Sequence, residues 1–313
     1  MSAYLQSQQN TQRAFLIKKR LLLEHQKFGP SAQKPWRQKL KLGTLARTSI
    51  RLSGMRKLGR KNAANIQVKE LAFAFPNLPP AFDGFRILHF TDLHIDGLPE
   101  LADIIPQKLH GHHSDLCVIT GDFCYGMPGT GSAAYPHMQR LIHNLNYPHP
   151  IIATLGNHDS ANDIQPLTDL GIRLLVNESL PLSQRNQTIW LCGIDDPHGL
   201  GTHDLGTTLQ NVPETDFKIL LAHAPEIADE AAQKNIHLYL SGHTHGGQIC
   251  LPGSHAILSK SRCPRAFVSG VWKHKHLLGY TSPGAGISSV DARFFCPPEV
   301  TIIELRRLHT NSC

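Results

Sequence analysis

Arg86-Ile-Leu-His-Phe90, running straight into Thr91-Asp-Leu-His94, decides how the rest of the chain is read. A short β-rich run ends abruptly in a polar cluster that sets an acid and an imidazole two positions apart. The same unit recurs: Leu116-Cys-Val-Ile119 leads to Gly121-Asp122, Ile151-Ile-Ala-Thr154 to Gly156-Asn-His-Asp159, Phe217-Lys-Ile-Leu-Leu221 to His223, and His237-Leu-Tyr-Leu240 to Gly242-His-Thr-His245. Thr188-Ile-Trp-Leu-Cys192 and Val300-Thr-Ile-Ile-Glu-Leu305 are further β runs. Helical spacing at 99–110, 136–145, 161–170 and 225–234 separates them, the last opening with Pro225 in the favoured first turn and Glu226 at the positive helix end. Strand and helix in alternation predict a layered α/β domain with mixed sheets. Open α/β sheets gather ligands beyond the C-terminal ends of their strands, which is where these clusters fall.

Each cluster offers a hard or borderline metal ligand: a carboxylate, an amide oxygen or an imidazole. Where a strand unwinds into a loop, residues i and i+2 can turn the same way, so Asp92 and His94, or His243 and His245, can reach one ion. The histidines at 110, 112, 113, 274 and 276 read as loop residues.

The ordered set Asp92-x-His94, Gly121-Asp122, Gly156-Asn-His-Asp159, His223 and Gly242-His-x-His245 resembles the calcineurin-like metallophosphoesterase family, over about residues 84–306. The resemblance implies a four-layer α-β-β-α sandwich of two mixed sheets. It also implies a pair of divalent ions, the first held by Asp92, His94 and His245, the second by Asn157, His223 and His243, with Asp122 shared. Such a pair clamps phosphoryl oxygens and acidifies a water, and a shared carboxylate offsets the repulsion between the cations. The oxygen donors and the absence of thiolates favour manganese over iron or zinc. His158 is left free of the ions as the catalytic residue, steadying the transferring phosphoryl group or protonating the leaving oxygen; Asp159 is read either as orienting an imidazole or as capping the helix near Asn162.

Outside that body the composition changes. Of 31 Lys and Arg in 313 residues, 15 lie in residues 1–61 against the single acid Glu24; the remainder holds 16 basic and 23 acidic residues. The division is therefore a basic N-terminal arm, 1–68, and a mildly acidic phosphoesterase domain, 69–313. With 41% hydrophobic residues the chain is neither disordered nor fibrous. Seven cysteines without a CxxC pair suggest a reducing cytoplasm, and Glu24 to Lys27 cut short the apolar run that an export signal would need.

Gly246-Gly-Gln-Ile249 and Arg293-Phe-Phe-Cys-Pro-Pro-Glu-Val-Thr301 are similar to one branch of the family, which holds bacterial phosphodiesterases and a UDP-2,3-diacylglucosamine pyrophosphatase of lipid A synthesis. The basic segment 254–276 is read as a roof over the site, with Lys260, Arg262 and Arg265, joined by Arg293, as substrate-binding residues. The arm at 34–61 interleaves Lys and Arg with Trp36, Leu40, Leu45, Leu52, Met55 and Leu58, a composition suited to an anionic inner-membrane surface. The expected activity is release of UMP and 2,3-diacylglucosamine 1-phosphate by a cytoplasmic enzyme peripheral to that membrane. A phosphodiesterase or nuclease is the competing reading, weakened by the scarcity of stacking aromatics in the arm. A non-catalytic membrane-docking scaffold is the third, and metal-dependent turnover sensitive to Asp122 excludes it.

Overall fold

The computed structural model describes residues 2–29, 48, 50, 52–129, 131–145, 147, 150–257, 259 and 261–308. Seven of its helices are labelled α1 Ser2–Phe28, α2 Arg56–Ala64, α3 Leu101–Leu109, α4 Tyr135–Leu145, α5 Ile164–Asp169, α6 Leu205–Leu209 and α7 Ala228–Gln233. The strands are β1 Gln67–Phe75, β2 Arg86–Phe90, β3 Leu116–Thr120, β4 Ile151–Thr154, β5 Ile172–Leu174, β6 Glu178–Gln184, β7 Gln187–Gly193, β8 Phe217–Leu221, β9 Leu238–Ser241, β10 Cys250–Leu251, β11 His255–Ala256, β12 Gly270–His274, β13 Leu277–Thr281 and β14 Glu299–Arg307.

Two six-stranded mixed sheets, ordered β1-β14-β2-β3-β4-β5 and β12-β13-β9-β8-β7-β6, make the expected sandwich. In the first, β2, β3, β4 and β5 run parallel while β14 opposes β2; in the second, β13, β9, β8 and β7 run parallel with β12 and β6 antiparallel at the edges. The strand period of two separates the layers. Ile87 and Val118 point into the inter-sheet core with Ile219, Leu221, Leu240 and Phe217. Their neighbours Leu88, Phe90, Cys117 and Ile119 face α3, α4 and α5 through Ile105, Met138, Leu141 and Leu167. Behind the second sheet, Ala228, Ala231 and Ala232 of α7 meet Leu220, Tyr239 and Trp272. Every residue of β3 and β8 is buried, as strands covered on both faces must be.

Most of the expected elements form with shifted ends. The helix expected at 161–170 is a 3-10 turn, Ala161–Asp163, followed by α5, and that at 225–234 is a 3-10 turn, Pro225–Ile227, followed by α7. Strands β1, β5, β6, β10, β11, β12 and β13 are additions to the sequence reading. The supposed roof at 254–276 is in its second half an edge strand: Trp272 of β12 is buried and stacked on Phe267 at 4.3 Å between ring centres. Lys260 lies outside the described residues.

The first helix of the arm is packed on the body. Within α1, Arg20 is fully buried and Glu24 7% exposed, so this helix packs on the domain instead of trailing from it. No described helix is long and apolar enough to cross a membrane.

Candidate metal centre

Parallel strands place the ligands. The chain leaves the C-terminal ends of β2, β3 and β4 in one sheet and of β8 and β9 in the other at the same edge of the sandwich, so five short loops converge there. The turns are tight enough to force non-glycine residues into left-handed backbone: Asp92 (φ 50°), His94 (φ 37°), Asp122 (φ 57°), His243 (φ 69°) and His245 (φ 50°). Such conformations are costly and persist where the surroundings fix them. Two glycines are dictated by close approach: a Cβ on Gly156 would sit 2.2 Å from Asp122 Oδ1, and one on Gly242 would sit 2.1 Å from Thr91 Oγ1 and 2.2 Å from Asp92 Oδ2.

All seven expected ligands come together. On one side His245 Nε2 lies 3.2 Å from both Asp92 Oδ1 and His94 Nε2. On the other, His223 Nε2 lies 3.1 Å from Asn157 Oδ1 and 3.3 Å from His243 Nδ1. Asp122 Oδ2 stands between the two groups, 3.4 Å from His94 Nε2 and 3.2 Å from His223 Nε2, which is the placement a shared ligand requires.

The donor chemistry fits cations. His94 Nδ1–H donates to the Cys124 carbonyl at 2.6 Å and His223 Nδ1–H to the Thr120 carbonyl at 2.8 Å, which fixes each ring with Nε2 turned inward. Asp92 Oδ2 accepts from the Thr91 hydroxyl and the His243 N–H, both at 2.8 Å, while Asp92 Oδ1 is buried without a hydrogen-bond partner, as is His243 Nε2. Buried carboxylates and imidazoles this close need either protons or cations between them. Burial raises the Asp92 carboxyl to about 6 and lowers His94 to about 3. Burial also works against charge on Asp122 and His223, but their mutual attraction and hydrogen bond prevail, holding Asp122 well below the usual carboxylate range and lifting His223 to about 10. Imidazoles bind cations in their neutral form, so affinity falls in acid.

His158 stands beside both ligand groups, with a ligand atom within 4.8 Å of those of His94 and Asp122. Its Nδ1–H donates to the Gly126 carbonyl at 2.7 Å, its ring meets that of His94 edge-on at 4.8 Å, and its backbone N–H donates to Asp122 Oδ1 at 2.9 Å. Asp159 takes neither expected role. Its fully buried carboxylate accepts the backbone N–H groups of Gly156 (2.7 Å), Asp122 (2.8 Å) and Phe123 (2.9 Å), tying two ligand loops together; Ser160 and Asp163 form the helix cap.

Of the expected substrate-binding residues, Arg293 needs correction. Arg293 is fully buried, and its guanidinium donates to the carbonyls of Pro283 (2.7 Å), Gly284 (3.1 Å), Gly286 (2.6 Å) and Cys296 (3.4 Å). No donor is left for a substrate; Nη2 instead lies 3.4 Å from His245 Nδ1, behind the ligand. Gln248 of the Gly246-Gly-Gln-Ile249 motif clamps the same loop, donating to Val290 and Ala292 carbonyls and accepting from Ser288 N–H. Arg265 is exposed and donates to the Ala256 carbonyl. Arg262, also exposed, is tied to the rim through its backbone N–H on Glu226, which bonds His198 Nδ1 at 2.6 Å; His198 packs on His243 with 4.1 Å between ring centres. Sequence reading missed His198 and took Glu226 only as an acid at a helix end, since neither ends a β run. His112 and His274 pair with Glu70 and Asp229 on the surface.

The chain matches the family model described as calcineurin-like phosphoesterase over residues 85–247. It is 31% identical over 241 residues to the uncharacterized metallophosphoesterase YkuE of Bacillus subtilis, covering 73% of this chain and 82% of that protein. An uncharacterized metallophosphoesterase of Helicobacter pylori is 29% identical, over 70% of this chain and 59% of its own length. Among solved structures, the Thermus thermophilus sulfate thiohydrolase SoxB is similar with a TM-score of 0.43 and 11% identity, covering 73% of this chain and 57% of that one. The chain belongs to the calcineurin-like phosphoesterase family and is a phosphoester hydrolase. Calcineurin-like phosphoesterases use a dinuclear metal centre, and the residues described above are its candidate ligands here.

Proposed function

We propose that the chain hydrolyses a lipid-linked diphosphate, specifically UDP-2,3-diacylglucosamine, to UMP and 2,3-diacylglucosamine 1-phosphate at an anionic membrane surface. The observation that carries the phosphoryl chemistry is the placement of Asp122 between two ligand groups, with Asp92, His94 and His245 on one side and Asn157, His223 and His243 on the other. Asp92, His94, His245, Asp122, Asn157, His223 and His243 would hold a pair of divalent ions, manganese by the donor set, which when bound would supply positive charge for the phosphoryl oxygens and a water of lowered pKa. The chain's own part is to hold that charge in a dry, preorganised frame. His158, its Nδ1–H engaged by Gly126, keeps Nε2, which as the N–H of the protonated ring would stabilise the leaving oxygen or transfer that proton to it.

Support for a membrane-borne substrate comes from beside the site. Leu52, Met55 and Leu58 are exposed by 83%, 45% and 51%, and the exposed Phe295 adjoins Phe294, whose ring backs onto Gly59 of α2. Arg56, Lys57 and Lys61 lie on the same short helix. Apolar anchors beside basic residues suit a lipid surface of negative charge, at about 1 kcal/mol per basic residue near it. The remaining arm residues, Trp36, Leu40 and Leu45, lie outside the described residues.

The test is mass-spectrometric product analysis with UDP-2,3-diacylglucosamine in detergent and manganese, and sedimentation with anionic vesicles of the wild type and a Leu52→Ser, Met55→Ser, Leu58→Ser variant. Release of UMP, with vesicle binding lost in the variant, is the expected result. Hydrolysis of a nitrophenyl phosphodiester without UMP release discards the lipid substrate. Steeply salt-dependent nucleic-acid binding in its place favours a nuclease.

A further inference from the structure

We propose that Arg20 is a positioning residue for the second metal site: from the N-terminal helix it fixes the loop that presents Asn157 and His158. The inference rests on the two-metal reading above.

The Gly156–Ser160 loop is held from two sides. From within, the Asp159 carboxylate gathers the N–H groups of Gly156, Asp122 and Phe123. From without, Arg20 Nη2 donates to the carbonyls of Gly156 (2.8 Å) and Asp159 (2.5 Å), the residues flanking Asn157 and His158. Nη1 donates to the buried carboxylate of Asp195, and Nε to Glu24 at 2.7 Å. Glu24, one helical turn further along, accepts from Ser160 Oγ (2.6 Å) and Ala161 N–H (3.0 Å), so the same helix also grips the loop's exit. Lys27 donates to the Gly199 carbonyl, and Gly199 itself backs onto Asn157 Cβ.

Three features mark this as more than surface packing. The guanidinium is completely buried, a costly placement that only its full set of partners supports. Its planar fork matches two carbonyls and two carboxylates at once, which an ammonium could not do. It also lies outside the stretch that matches the family model, so a helix beyond the matched region braces the metal loop. The bonds of Arg20 and Glu24 reach the Asn157 loop and Asp195, and none of them touches Asp92, His94 or His245. Loosening them should therefore weaken one ion more than the other. Residues supporting metal ligands typically alter affinity by roughly 10–100-fold.

The test uses the full chain and manganese alone. Bound equivalents are titrated for the wild type, Arg20→Lys, and the charge-neutral pair Arg20→Gln with Asp195→Asn, with electron paramagnetic resonance separating coupled ions from a single one and circular dichroism reporting the fold. The expected result is a first equivalent bound as in the wild type, a second weakened about 10–100-fold, and turnover restored at high manganese. Wild-type affinity for both ions overturns the proposal. Parallel weakening of both, or failure of both variants to fold, also overturns it by assigning Arg20 a general structural role. A wild type that binds no coupled pair fails the two-metal reading itself, which is a separate outcome.

Discussion

Replacing Arg293 with methionine separates a supporting role from a substrate-binding one. The guanidinium bonds four carbonyls in a fully buried position, two of them at 2.7 Å or less (Pro283 and Gly286). Methionine fits the space apolarly but leaves those carbonyls facing no donor. A buried group left unsatisfied costs about 1–3 kcal/mol. Counting only the two short bonds gives about 2–6 kcal/mol, against which stands relief of the burial that already lowers the Arg293 pKa. A net loss of about 3 kcal/mol is expected; with a urea slope of about 3 kcal/mol/M, the upper small-protein value, the midpoint falls by about 1 M. Urea unfolding followed by near-ultraviolet dichroism measures it, with KM for a phosphodiester measured below the transition. A variant of wild-type stability whose KM alone rises many-fold would refute this reasoning and restore Arg293 to the substrate pocket.

Exchange of His158 for Asn should lower kcat by about 10²–10⁴ with manganese stoichiometry unchanged; equal loss of both would make it a ligand. Burial lowers His89 from 6.5 to about 3, so the native state refuses a proton that the unfolded chain takes up. Stability is then complete above about 6.5 and declines as pH falls from 6.5 towards 3, by about 2 kcal/mol at pH 5. His89→Gln should flatten the acid limb by that amount in unfolding curves between pH 7.5 and 5; an unchanged limb would contradict it. Gly242→Ala drives a methyl into Thr91 Oγ1 and Asp92 Oδ2, so metal titration should show at least about tenfold weaker binding and unfolding a loss of about 1–3 kcal/mol.

The sheet centre and the ligands were legible because both follow local rules. β3 and β8 are mostly apolar runs, β8 interrupted by Lys218 alone, and each cluster sits where a parallel strand ends. The edges were not legible. β5 is three residues long, β6 carries Pro181 in an edge position, and the β12–β13 hairpin hides its buried Trp272 among lysines and histidines. The supporting residues were invisible for a different reason. Asp159 was recognised as adjacent to His158, but its partners are backbone groups that no side-chain pattern announces. Arg20 looked like one charge in a basic arm, and only the fold brings it to a loop 136 positions away. Arg293 was misread because a motif shows that a residue is placed near a site without showing which way it turns.

Asp122 carries the central claim, since its Oδ2 lies between His94 of one ligand group and His223 of the other. The most direct measurement is manganese stoichiometry together with nitrophenyl phosphodiester hydrolysis for the wild type, the chelator-stripped protein and Asp122→Ala. The wild type should bind two ions and turn over, the stripped protein should regain activity on manganese addition, and the folded variant should lose the coupled pair and the activity together. Undiminished hydrolysis by the variant, or by the stripped protein without added metal, would contradict the account.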